Sequence, residues 1–151
     1  MDPAHDVYRD ILRRTTGRYL TVRPRGLVIS PRHPPLPILH VRILDHGAAR
    51  TLYHQRQPVC RSLDAVKPLK NPQVFCTDCS QRRACTPQVR VDLTFEHAPY
   101  RLLLAYTSAK NFLLYNSTIA ETGRGLCDVM TQIQVVNRGN WGELRFSLAL
   151  K

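Results

Sequence analysis

The chain has 151 residues, enough for one domain with a buried core, and 43% of them are apolar, which excludes wholesale disorder. Lysine and arginine number 22 against 11 acidic residues, a formal charge of +11, and 18 of the 22 are arginine; a compact domain this basic typically meets a polyanion, because guanidinium forks onto phosphate and stacks on flat rings. No stretch is apolar for long enough to span a membrane as a helix, and the first residues lack the basic-then-apolar layout of a secretory leader, so the expected setting is the cytoplasm.

In chain order, Asp6 can cap a short helix running through Arg14, and residues 1–17 read as an N-terminal helical segment. Residues 18–29 read as two strand pieces broken at Pro24 and Gly26. Residues 36–44 read as a strand, and Asp45-His46-Gly47 as a turn. Residues 54–87 show neither a helical nor a strand period, and they hold four prolines and four of the five cysteines. A loop of this length needs something to order it, so it reads as an inserted, metal-ordered subdomain.

Regular patterning then returns. Residues 88–96 alternate as a half-buried strand, with Val89, Val91, Leu93 and Phe95 on one face and Arg90, Asp92 and Thr94 on the other. A turn at His97-Ala98-Pro99 leads to a second strand over 100–106. Ser108 is placed to cap a helix that stops at Gly123, with Phe112, Tyr115 and Ile119 on one face. Residues 127–136 and the final Leu144, Phe146, Leu148 and Leu150 alternation form a hairpin, with Cys127 read as a buried core thiol and Phe95 and Tyr106 as core rings. Residues 18–151 therefore read as a single, mainly β domain. The expected fold is an OB-type five-stranded barrel with a helix before the last hairpin, interrupted by the insert.

Cys60, Cys76, Cys79 and Cys85 give C-x15-C-x2-C-x5-C. Two residues between cysteines let both thiolates reach one tetrahedral ion, and four sulfurs suit a structural zinc. A four-cysteine iron–sulfur cluster is the chemical alternative. His46 and His54 are substitute ligands should Cys60 point elsewhere.

The insert is also basic: Arg56, Arg61, Lys67, Lys70, Arg82 and Arg83 stand against Asp64 and Asp78. Tyr53 and Phe75 flank or enter it, and Trp141 sits at the last hairpin. Cations beside exposed rings suit single strands, whose bases offer π-faces to stack on. No Gly-rich phosphate loop, nucleophile elbow or zinc-protease motif is present, and the carboxylates are scattered, so no enzyme is read here.

CRSLDAVKPLKNP, CTDC and the later cysteine, followed by LLLAYTSAKNFLLYNSTI and VMTQIQVVNRGNWGELRFSL, carry a resemblance. Over roughly residues 60–150 the chain resembles the single-stranded-DNA-binding proteins of phages and mobile elements, of OB type with a cysteine-rich zinc insert. It departs from them at Ala65, where a glycine is expected, in a shorter loop before the third clustered cysteine, and in ending LRFSLALK rather than in an acidic tail. The resemblance implies a non-catalytic protein that binds single-stranded DNA or RNA in a bacterial or phage-infected cell. The alternative is a zinc-knuckle interaction subunit of a transcription, transposition or CRISPR-type nucleoprotein complex.

Overall fold

The computed structural model describes Val7 and residues 18–69 and 74–149. The N-terminal helix expected over 6–14, apart from Val7, and the positions of Lys70 and Leu150 lie outside the described residues. From residue 18 onward, the described residues form eight strands and one α-helix, in the order β1 (Thr21–Arg23), β2 (Gly26–Val28), β3 (Ile38–His54), β4 (Gln57–Ser62), β5 (Thr86–Phe95), β6 (Ala98–Leu104), α1 (Tyr106–Glu121), β7 (Thr131–Asn137) and β8 (Gly142–Leu148). No described helix is long and apolar enough to cross a membrane.

The scaffold is a six-stranded antiparallel sheet ordered β6-β5-β3-β7-β8, with β4 paired to β3 as well. β3 is the spine. Its first residues pair with β7, Ile38 facing Gln134 and Val41 facing Thr131. Its middle pairs with β5 from Arg42–Thr94 to Thr51–Thr86, and its end folds back on β4. The expected turn at Asp45-His46-Gly47 does not exist. β3 runs through it, and a register shift between Ile43 and Asp45 absorbs the irregularity as a bulge. β4 is a strand inside the stretch expected to have no elements.

The mainly β fold is as expected, but the sheet has six strands rather than five and does not close into a barrel. The ladder ends at β6 and β8, which are not hydrogen-bonded to each other. The β1–β2 ribbon and the residues before it occupy that seam. Leu20 N donates to Arg101 O at 2.9 Å and Arg101 N to Arg18 O at 2.7 Å, a parallel bridge on the β6 edge. On the other side, a Cβ at Gly142 would stand 2.6 Å from the Arg23 carbonyl oxygen, so only glycine lets β1 lie against the start of β8.

The core lies inside this curved sheet, with Leu39, Val41, Ile43, Val91, Leu93, Leu102, Ile133 and Leu144 at most 1% exposed. Burying each such side chain contributes about 1.5–3 kcal/mol. α1 caps the core with the expected face. Phe112 meets Phe146 edge-on at 5.3 Å between ring centres, and the Tyr115 hydroxyl lies 2.8 Å from Thr131 Oγ1. Ser108 does not cap this helix, whose N-cap is Ala105. It is buried, and its Oγ accepts the Leu144 amide at 3.0 Å, tying helix to β8. Cys127 is half-buried in a single 3-10 turn over Leu126–Asp128, where Leu126 takes the core position instead. Gly123, at φ 80°, ends α1 as expected.

β5 is not half-buried. Asp92, on its expected solvent face, is 3% exposed and faces Arg101, 2% exposed, across the ladder. Arg101 Nε reaches Asp92 Oδ1 at 2.9 Å. Arg90 joins the same carboxylate and donates through Nε to the Leu63 carbonyl at 2.9 Å. The insert thus covers this face and is latched to the sheet through Arg90.

Candidate nucleic-acid interface and cysteine knuckle

The insert leaves β3 through a two-residue turn, Gln55 at φ 51° and Arg56 at φ 65°, which is the left-handed geometry of a tight hairpin. Arg56 is thereby displayed at an exposed tip. β4 then carries Cys60 opposite Leu52. After β4, Asp64 organises the next turn: Oδ1 accepts the amides of Val66 at 2.8 Å and Lys67 at 2.9 Å, and the Ser62 hydroxyl lies 3.0 Å away. Burial pushes the Asp64 carboxyl up, but these hydrogen bonds outweigh it and hold the group below the ordinary carboxylate value. Ala65, at φ 60°, sits in the left-handed region within this turn, a conformation that favours glycine.

Two short 3-10 turns form the knuckle, Cys76–Asp78 followed by Cys79 and Arg82–Ala84 followed by Cys85. Each closes on its cysteine, with Cys79 N donating to Cys76 O at 3.3 Å and Cys85 N to Arg82 O at 3.2 Å. Cys76 N donates to the Val66 carbonyl at 2.7 Å, joining the knuckle to the Asp64 turn. Cys85 immediately precedes β5, where Thr86 pairs with Thr51 on the opposite side of β3 from Cys60.

The four thiols share one neighbourhood. Burial, and then the Cys60 and Cys79 thiols, push the Cys85 thiol above its ordinary value; the Arg50 guanidinium pulls the other way and Cys76 adds to the push. Among the described residues no group of three or more His, Cys, Asp or Glu side chains is drawn together closely enough to hold a metal ion. None of the five cysteines is in a disulfide. His46 packs edge-on against Phe112 at 5.3 Å, on the helix side of the sheet.

Beside the knuckle lies a cleft of about 580 Å³ whose walls include Arg50, Arg82, Arg83, Cys79 and Cys85, with no carboxylate among its lining residues. Arg82 and Arg83 are exposed on their 3-10 turn. Arg50 was not legible as a candidate from the sequence. It reaches the knuckle because β3 pairs it with Pro87 on β5, and its Nη1 donates to the Arg82 carbonyl at 3.5 Å. Only the register of β3 against β5 could have revealed this.

The other candidates are spread over separate places. Lys67 Nζ stands 5.1 Å over the ring of Phe75, which is 46% exposed. Arg61 lies 4.8 Å over Tyr19, so it serves the packing of the N-terminal stretch against the insert. Tyr53 is half-exposed, and its hydroxyl accepts from Gln88 Nε2 at 3.1 Å. Trp141 is distant in construction from the knuckle: it lines a different cleft with Arg23 and Tyr106, and the two clefts share no lining residue. Tyr106 was expected in the core and is instead 79% exposed. Comparison of the chain with family models, with curated proteins and with solved structures returned no match in any of the three.

Proposed function

We propose that the protein binds single-stranded nucleic acid, DNA or RNA, without catalysing a reaction on it, and that the cysteine knuckle is the principal phosphate-binding surface. The observation that carries this reading is the cleft bearing Arg50, Arg82 and Arg83 and no carboxylate on a chain of net charge +11. Two of these guanidiniums, Arg82 and Arg83, are borne on one short turn closed by a backbone hydrogen bond. Cations held on such turns lose less entropy on meeting phosphates than cations on free loops. Exposed Phe75 on the insert and Tyr53 at the end of β3 beside it offer rings for bases.

The strand path supports an OB-type reading of the fold. A long bent strand, β3, pairs with β5 and β7; β5–β6 and β7–β8 extend the two flanks; α1 connects them. In this reading the ring of strands is left open at the β6–β8 seam, and the insert occupies the connection between the first two barrel strands.

Zinc, held by Cys60, Cys76, Cys79 and Cys85, is part of the proposal. The donor chemistry supports this: burial and the nearby Cys60, Cys79 and Cys76 thiols raise the proton affinity of Cys85, and a bound cation would reverse that effect. The ion would supply structural order to the knuckle.

Val59, Val66, Leu69 and Val74 are each more than one-third exposed on the insert, and this favours a second reading, in which the insert docks onto a larger nucleoprotein complex. A panel of labelled single-stranded DNA, single-stranded RNA and duplex separates the two, with metal analysis on the same preparation. The first reading expects the purified chain to bind single strands with affinity that falls steeply as salt rises. Salt-independent or undetectable binding refutes it in favour of the docking reading.

A further inference from the structure

We infer that the cleft between β1, the start of α1 and the β7–β8 turn is a second subsite, one that stacks an unpaired base of the same strand. The inference rests on the single-strand reading above and adds to it a place and a set of residues remote from the knuckle.

The cleft is about 410 Å³ and is walled by Arg23, Leu104, Tyr106, Asn140, Trp141 and Gly142, with no carboxylate among its lining residues. This volume falls within the range of small-ligand sites. Two large rings are left in water there, Tyr106 at 79% and Trp141 at 44% exposed. They come from different elements, so their meeting at one cleft is a product of the tertiary fold.

Tyr106 also stands at φ 50°, in the left-handed region that disfavours side chains. A strained, solvent-facing tyrosine at the head of a 16-residue helix contributes nothing visible to the core. Strain of this kind persists where the surrounding structure holds it for a purpose. Here it directs backbone and ring out beside the cleft rather than into the helix packing.

The opposite wall is equally built. Gly142 admits the Arg23 carbonyl where a Cβ would stand 2.6 Å from it, so β1 is drawn tight against the turn that carries Trp141. Arg23 is exposed, and among the described residues no carboxylate pairs with it. Two rings for a base, a guanidinium for the adjoining phosphate and the Asn140 amide for a base edge make a nucleotide-shaped set of contacts.

Trp141 is the only tryptophan in the chain, so it reports directly on this site. The test titrates the full chain with a deoxythymidine oligomer of about twelve nucleotides, long enough to reach beyond one small site. Trp141 fluorescence and the anisotropy of a labelled oligomer are read together. Quenching that follows the anisotropy is expected. Tyr106→Gly removes the ring and relieves the backbone, so it should keep or raise the melting temperature while weakening oligomer binding about 5- to 100-fold. Trp141→Ala should weaken it comparably, and neither variant should change the salt slope, since neither removes a charge.

Wild-type affinity in both variants, or binding without any change in Trp141 fluorescence, overturns the subsite and leaves the knuckle reading standing. An oligomer that fails to bind the unsubstituted chain at low salt overturns both. Thymidine monophosphate quenching as strongly as the oligomer at equal nucleotide concentration overturns the strand as the occupant and assigns the cleft to a free nucleotide.

Discussion

The knuckle arginines give the sharpest test of how this protein meets its ligand. Arg50, Arg82 and Arg83 line one cleft, and each that neutralises a phosphate of a single strand contributes about 0.7 to the slope of log affinity against log salt. Replacing all three, as R50Q, R82A and R83A, should flatten that slope by about 2. Between about 50 and 200 mM salt the unsubstituted chain should then lose about 20-fold more affinity than the variant. Glutamine at position 50 keeps part of the half-buried stem against β5, and Arg82 and Arg83 are exposed, so the fold should survive; a thermal melt checks this. The assay is anisotropy of a labelled single strand over a salt series. A triple variant with an unchanged slope, at unchanged stability, refutes the assignment of phosphate contacts to this cleft, whatever its affinity at one salt concentration.

Cys79→Ser should release the bound metal, measured by elemental analysis of purified protein, and should speed amide exchange through the 76–85 turns while leaving α1 and β7 protected; a metal content equal to that of the parent refutes the four-cysteine assignment. Ala65→Gly should stabilise the chain by about 0.5–1 kcal/mol, a rise in melting temperature of about 1–4 °C, because alanine at φ 60° carries a penalty that glycine lacks; an unchanged or lowered melting temperature counts against that strain. Asp64 is held below its ordinary value of 3.8 in the folded chain, so the unfolded chain binds more protons as acid is added. Its contribution to stability is therefore complete above that value and fades as pH falls through the lower folded value. Urea midpoints between about pH 2 and 5 should drop more steeply for the parent than for Asp64→Ala, and parallel curves refute the linkage.

Several elements were readable because their signals are local. The alternation Thr131, Ile133, Val135 and the helical spacing Phe112, Tyr115, Ile119 each state which face is buried, and both faces are buried in the fold. Proline and glycine at 24 and 26 mark the β1–β2 turn for the same reason. The β3–β4 hairpin was unreadable because Gln55 and Arg56 occupy left-handed positions that Asn-Gly would have announced. β5 misled because its alternation predicts one wet face. Asp92 is covered only because the insert folds over it, bringing Leu63 to Arg90, and because Arg101 arrives from β6 to neutralise it.

The candidate site divides in the same way. Cysteine spacing and an arginine excess are properties of the chain, and they suffice to nominate a basic knuckle on a mainly β domain. That Arg50 joins Arg82 and Arg83 follows from the pairing of Arg50 with Pro87, residues 37 positions apart. That Tyr106 is an exposed ring beside Trp141 and Arg23 follows from β1 closing the seam between β6 and β8. Spacing along a chain encodes which face a residue shares with its near neighbours, whereas register and seam closure are set by contacts among distant segments. The kinds of chemistry the protein carries were therefore written in its sequence, and the tertiary fold alone decided which of those groups stand together.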